Sequence, residues 1–260
     1  LNSHKKEKTM KIVTKVFGVL ELFLESADEM TLAEISRMAR LNKPTTRRIC
    51  LALVKCGYLR QPVRRGKYSL GWKFLDYSRT IKRTNYLVKV AAPHLMQLKQ
   101  DANESVTMAV WDGTNTSLCL SYLTDHPLKV VSSEGSKLIL HATSIGKAAI
   151  AELPENELRM YLGDSPTRYT PNTITDINDL KKHLQVVQQE GVAFDDEEFL
   201  PGVRGIGTAL RNRDGGVVGT IGILGPTVRL SRAKLRDLVP VIKKCAYKIS
   251  IELGYTGKSS

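Results

Sequence analysis

Residues 31–59, "TLAEISRMARLNKPTTRRICLALVKCGYL", hold two stretches of helix-like apolar spacing around a polar break, and the second opens on hydroxyls and arginines. Thr31 with Glu34 three positions on has the pattern of a capping box, after which Leu32, Ile35 and Met38 repeat at helical spacing. The "RLN" break is short. Asn42 can cap the next helix, and Pro44 falls in its first turn, where a missing N–H costs little. There Ile49, Leu53 and Cys56 form an inward stripe, Lys43, Thr45, Thr46, Arg47 and Arg48 crowd the N-terminal turns, and Gly57 stops the helix. Two helices joined by a tight turn, the second polar and basic at its start, predict a helix-turn-helix whose second helix enters the DNA major groove N-terminus first. Hydroxyls suit phosphate oxygens, and an arginine there can reach the O6/N7 edge of guanine with two hydrogen bonds.

The flanks agree. Upstream, "IVTKVFGVLELFL" (12–24) sets Ile12, Val16, Val19, Leu20 and Phe23 on one stripe of a first helix. Downstream, "YLRQPVRRGKYSL" (58–70) alternates apolar and polar residues about a Pro/Gly-containing loop, a β-hairpin with Arg64, Arg65 and Lys67 at its tip, in other words a wing. Charge follows the same division. Of the net +13, residues 1–85 hold 19 Lys and Arg against 7 Asp and Glu, a net of +12, and the rest hold 20 against 19, a net of +1. One basic module that meets a polyanion, here double-stranded operator DNA, and one near-neutral module are expected. A non-specific nucleic-acid-binding protein is the alternative, and an anionic membrane a weaker one, since no basic amphipathic lipid-binding signal accompanies the charge.

At 260 residues and 42% apolar the chain suits two domains. It lacks any run near the roughly 18 apolar residues of a membrane span, and its basic start is not followed by a secretory apolar segment, so a cytoplasmic place is expected. Cys50, Cys56, Cys119 and Cys245 form no CxxC pair and read as small core residues.

Residues 72–103 read as helix, "WKFLDYSRTIKR" then "LVKVAAPHLMQLKQDA", with Val88, Ala92, Leu95 and Leu98 on one stripe. Strands are expected at "SVTMAVWD", "TSLCLSYL" and "LKVVSS", then a helix across "TSIGKAAIAEL", helices near 155–162 and 176–190, strands near 192–195, 203–211 and 216–224, and a last helix from Ser231 to Leu253. That order predicts an α+β fold with a mainly antiparallel sheet. The expected domains are 1–71 (winged helix-turn-helix), 72–90 (linker helix) and 91–260 (effector domain).

Enzyme readings mostly fail. A P-loop around Gly146-Lys147 would need Gly where His141 stands and Ser or Thr where Ala148 stands. "PGVRGIG" lies in the wrong context for a dinucleotide fingerprint. His4, His94, His126 and His183 look like ordinary surface or helix residues, and His141 alone invites a metal reading. "FDDEEF" (194–199) clusters carboxylates that could do acid/base work. An enzyme acting on a small acid stays as a minor alternative.

The chain resembles the IclR-type bacterial transcription regulators. The likeness is carried by "LNKPTTRRICLALVKCGYL", "GKYSLGWKFLDYS", "LHATSIGKAAIAEL", "GVAFDDEEFLPGVRGIGTAL" and "GGVVGTIGILGP", in that order and nearly along the whole length. It implies a winged helix-turn-helix joined to a GAF-like effector domain, a repressor of a catabolic operon acting as a homodimer or dimer of dimers, and no catalysis or cofactor. Pro44 stands where the family usually has serine, and Gly205 where it often has the cysteine that helps bind zinc, so no metal is expected here. The resemblance places Asp195 in the effector pocket facing Ser144 and Ile145, with Val130, Leu138 and Ile145 on its apolar side. A helix start across Ser144, Ile145 and Gly146 would also aim N–H groups at an anion whatever the likeness. Alternation in "GTIGILGP" sets Thr220, Gly222 and Leu224 on one strand face. Relatives often carry Ser or Cys at the positions of Gly205, Gly222 and Leu224. Their exchange for space and an apolar group predicts a carboxylate with an apolar, aromatic or branched body in place of a two- or three-carbon oxoacid.

Overall fold

The computed structural model describes residues 2–25, 29–62, 66–111, 116–136, 138–163 and 165–257, without the side chains of 2–10 and 25. Its contacts divide the chain into two units, 1–82 and 83–260.

The first unit begins with α1 (Asn2–Glu25), α2 (Leu32–Met38) and α3 (Lys43–Lys55). Thr31 and Glu34 form the expected capping box, and the Asn42 side chain accepts from Thr45 N–H at 2.9 Å. Strands β1 (Leu59–Arg60) and β2 (Ser69–Leu70) pair antiparallel, and Tyr68 bridges to Met30. Val19, Phe23, Met30, Ile35, Ile49, Cys50, Leu53, Leu59 and Tyr68 make the core. Three residues depart from expectation. Cys56 is exposed because it caps α3 after the last inward turn, so it is not a core thiol. Ile12 and Met38 are 43% and 41% exposed, one about two turns before Val19, the first buried residue described in α1, and the other at the end of a seven-residue helix.

Residues 72–90 are not one linker helix. Helix α4 (Lys73–Thr84) ends before Asn85, whose side chain accepts from Val88 N–H and caps α5 (Tyr86–Ala102). An Asx residue offers the backbone this alternative to continued helix.

The second unit is a five-stranded antiparallel sheet with order β4-β3-β7-β6-β5, from β3 (Ser105–Trp111), β4 (Thr116–Tyr122), β5 (Ala193–Asp196), β6 (Val203–Arg211) and β7 (Val217–Pro226). In β3, β6 and β7, Val106, Met108, Ile206, Ile221 and Ile223 share a core with Leu95 and Leu98 of α5 and Leu238, Ile242 and Ile249 of α9 (Arg232–Glu252). Their partners in the period-two pattern, Thr107, Gly205, Gly207 and Gly222, occupy the other face, where α6 (Ser144–Ile150) packs, with α7 (Glu155–Leu162) and α8 (Ile177–Glu190) beyond. The expected strand at 128–133 does not form. Beside edge strand β4, among the described residues, Gly135 N–H donates to Leu118 O and Leu118 N–H to Ser136 O, and the irregular stretch before them walls the pocket described next.

Candidate functional site

In α3 the inward stripe of Thr46, Ile49, Cys50 and Leu53 fixes which residues face outward. Lys43, Arg47 and Arg48 are exposed and Thr45 half-buried. Thr46 is a correction: it is fully buried, and its hydroxyl donates to Asn42 O at 3.0 Å, so it holds the helix start and cannot reach a phosphate. Lys67 is exposed beside the buried Tyr68. Arg64 and Arg65 lie outside the described residues.

Between the sheet and α6 is a cavity of about 310 Å³. Val130, Leu138, Ser144, Ile145, Asp195, Gly205, Gly222 and Leu224 all line it, together with residues that sequence reading passed over, notably Thr107, Leu118, Ser136, Phe199 and Val203. These came from strand faces and a loop whose inward sides only pairing register defines. Gly146 does not line the cavity. Its N–H donates to Thr143 Oγ1 at 3.1 Å, and a Cβ there would stand 2.3 Å from Ile139 O, so its role is close packing. The glycines of the sheet need the same correction. A Cβ on Gly222 would meet Ile145 Cγ2 at 2.4 Å, one on Gly207 would meet Ile145 N at 2.7 Å, and one on Gly205 would stand 3.0 Å from Ser144 Oγ. Their missing side chains let α6 dock on the strands, and Gly205 and Gly222 also face the cavity.

Asp195 pairs with Gly205 across β5 and β6, which brings its carboxyl to the Ser144 side of the cavity. Burial pushes its pKa up to about 7, against the Glu198 N–H it accepts at 2.9 Å, with the nearby Glu198 charge adding to the rise. Behind it lies an ion pair that sequence reading missed. Lys147, rejected as a P-loop lysine, is fully buried and donates from Nζ to Glu198 Oε1. Burial raises the Glu198 carboxyl, and the Lys147 ammonium beside it acts in the opposite sense. Burial, followed by the Lys147 charge, lowers His183 to about 4, so it stays neutral at pH 7 and is no ordinary surface histidine. A lysine inside the apolar run "SIGKAAI" was the signal available for this pair. His141 Nε2 bonds Thr167 O at 2.8 Å, with its ring 5.7 Å from that of Tyr169. Among the described residues no three His, Cys, Asp or Glu gather to hold a metal.

A basic helix-turn-helix in one unit and a largely apolar cavity in the other define a DNA-binding regulator with a sensor domain. The chain belongs to the IclR family of bacterial transcriptional regulators: the description "IclR helix-turn-helix domain" matches residues 12–62, and "Bacterial transcriptional regulator IclR C-terminal" matches 79–251. Family members are ligand-responsive, DNA-binding regulators. The chain is 28% identical over 244 residues to HTH-type transcriptional regulator XynR of Escherichia coli (strain K12), spanning 94% of this chain and 97% of that protein. It is 25% identical over 245 residues to Transcriptional repressor IclR of the same organism, 93% and 89% of the two chains. A regulator from Rhodococcus sp. RHA1 superposes with a TM-score of 0.80 at 28% identity over 94% of this chain and 98% of the other. An IclR homolog complexed with 4-hydroxybenzoate, from Microbacterium hydrocarbonoxydans, shares the fold at a TM-score of 0.77 and 21% identity, covering 93% and 98%.

Proposed function

We propose that the chain is a non-catalytic repressor of a catabolic operon in the cytoplasm, that Lys43, Thr45, Arg47 and Arg48 meet operator DNA, and that an acid with an apolar body is its effector. The observation that carries the effector reading is the cavity wall. Leu118, Val130, Leu138, Ile139, Ile145, Phe199, Val203 and Leu224 supply most of it, and its polar groups are the hydroxyls of Thr107, Ser132, Ser133, Ser136, Thr143 and Ser144 with the single carboxyl of Asp195. Each methylene buried there contributes about 0.8 kcal/mol, more than a two-carbon acid can gather. No described helix is long and apolar enough to cross a membrane. The acid acts by population shift: a tenfold loss of operator affinity requires the effector to prefer the DNA-incompetent arrangement by about 1.4 kcal/mol.

Asp195 is the one ionisable side chain among the described residues that line the cavity. A carboxylate effector therefore binds the form in which Asp195 is protonated and donates. Since Asp195 titrates at about 7, affinity for benzoate should be flat below pH 7 and fall about tenfold per unit above it. Calorimetry of the full chain with benzoate, glyoxylate and pyruvate from pH 6 to 8.5 tests both points. Asp195→Asn should retain benzoate binding and remove its pH dependence. Tight binding of the oxoacids without benzoate, or affinity that rises with pH, would overturn the assignment.

Two winged modules related by symmetry can read half-sites about one helical turn apart, which one module cannot. Helix α4 buries none of its residues, and Trp72, Leu75, Tyr77 and Ile81 are all about half exposed or more, an apolar surface suited to pairing with a second copy. Sedimentation should show a dimer or dimer of dimers. A chain that stays monomeric on its operator would contradict this.

A further inference from the structure

Among the described residues three that are not glycine have positive φ: Arg40 at 51°, Asn103 at 53° and Glu197 at 61°. Asparagine tolerates the left-handed region. Glu197 is held by its own carboxylate, which accepts from Gly202 N–H at 2.8 Å and pairs with Arg204 at 3.3 Å. Arg40 has neither excuse. It stands at the residue after the α2 cap, where Leu41 N–H donates to Ser36 O at 3.0 Å and Arg40 N–H to Arg37 O at 3.2 Å. Those two bonds are the Schellman closure, whose left-handed position is normally glycine. The Ser36 hydroxyl donates to Leu41 O at 2.6 Å and fastens the turn further. Arg40 is exposed, and its guanidinium has no hydrogen-bond or ion-pair partner among the described residues. A backbone cost is thus borne by a side chain that does nothing for the fold. Strain of this kind points to function, and the position narrows which. Arg40 lies three residues before Lys43, at the turn that delivers the N-terminal end of α3, in the unit that holds most of the chain's excess positive charge.

We propose that Arg40 is a DNA-backbone contact of the turn, placed by its left-handed conformation to meet a phosphate next to the groove that α3 enters. This rests on the reading of α3 as the recognition helix. Phosphate contacts are blind to sequence and release counterions, so their loss has a signature. The test uses the full-length protein, a duplex selected from the source genome by binding, and a random duplex of equal length. Arg40→Gly should raise the melting temperature of the first unit by about 4 °C, as relief of one left-handed residue predicts. It should at the same time weaken both duplexes several-fold and reduce the salt slope by about 0.9. Arg40→Lys should keep most of the slope. Unchanged affinity and slope in Arg40→Gly would overturn the proposal, as would weaker binding accompanied by a lower melting temperature, which would make Arg40 structural. An Arg47→Ala/Arg48→Ala variant that still binds like the parent would instead remove the reading of α3.

Discussion

Lys147→Ala should destabilise the effector unit by about 3–5 kcal/mol, as removal of one partner from a buried ion pair does. Lys147 is fully buried, the Glu198 side chain is 8% exposed, and Glu198 Oε2 has no hydrogen-bond partner among the described residues. Without the ammonium, Glu198 must either stay charged in an apolar surround or take up a proton. A double change to Lys147→Met and Glu198→Leu removes both charges and should recover most of the loss, because apolar groups of similar volume commonly replace a buried pair with little net cost. Urea unfolding followed by a probe in the second unit measures both variants. A single-variant loss under about 1 kcal/mol would mean that the ammonium reaches water, contrary to its burial. The pair also bears on the effector site, since the Lys147 charge lowers the pKa of Asp195. Its loss should push Asp195 further up and shift the pH above which benzoate affinity declines toward higher values.

Why this pair escaped a sequence reading, while the helix-turn-helix did not, follows from the range of the forces involved. Thr31, Glu34 and Asn42 act on groups three residues away and Pro44 sits in the first turn of α3, so capping is written locally and the structure reproduces it. The strands β3, β4, β6 and β7 were legible from alternation and composition. Lys147 and Glu198 are 51 positions apart, and nothing local to either announces the other. The same holds for the glycines. Sequence shows that Gly205 and Gly222 lack side chains, but only the docking of α6 shows that Ile145 fills the place beside Gly222. The stretch 128–133 has the β-branched look of a strand, yet edge strand β4 is bonded through Gly135 and Ser136 instead, and that choice is not written in the local sequence. Arg40 failed in the opposite way: the turn was evident, yet its closure with an arginine where glycine is the usual choice depends on a φ angle that composition does not reveal.

The α3 arginines carry the largest expected effect on function. Arg47 and Arg48 are exposed within the first turns of a helix whose start is fixed by Asn42 and whose inner face is locked by Thr46, Ile49 and Leu53, so neither supports the fold. Each Ala substitution should leave the melting temperature within the scatter expected of surface changes. Whichever arginine makes a bidentate contact to guanine should cost about 1–3 kcal/mol on the selected operator and relax specificity at one position. The other, if it meets phosphate, should weaken operator and random duplex by similar factors. Two arginines on adjacent positions of one helix share a groove, so the double variant should lose more than a hundredfold in operator affinity, with departure from additivity measuring how far they cooperate. In an oligomer the loss applies at each half-site. Lys67→Ala in the hairpin is the comparison: it should act on both duplexes alike and leave the operator preference intact. Fluorescence titration at fixed salt, repeated on operators changed one base pair at a time, would distinguish the cases. A folded Arg47→Ala/Arg48→Ala protein that bound the parent operator with parent affinity would sink the assignment of α3 as the element that reads DNA.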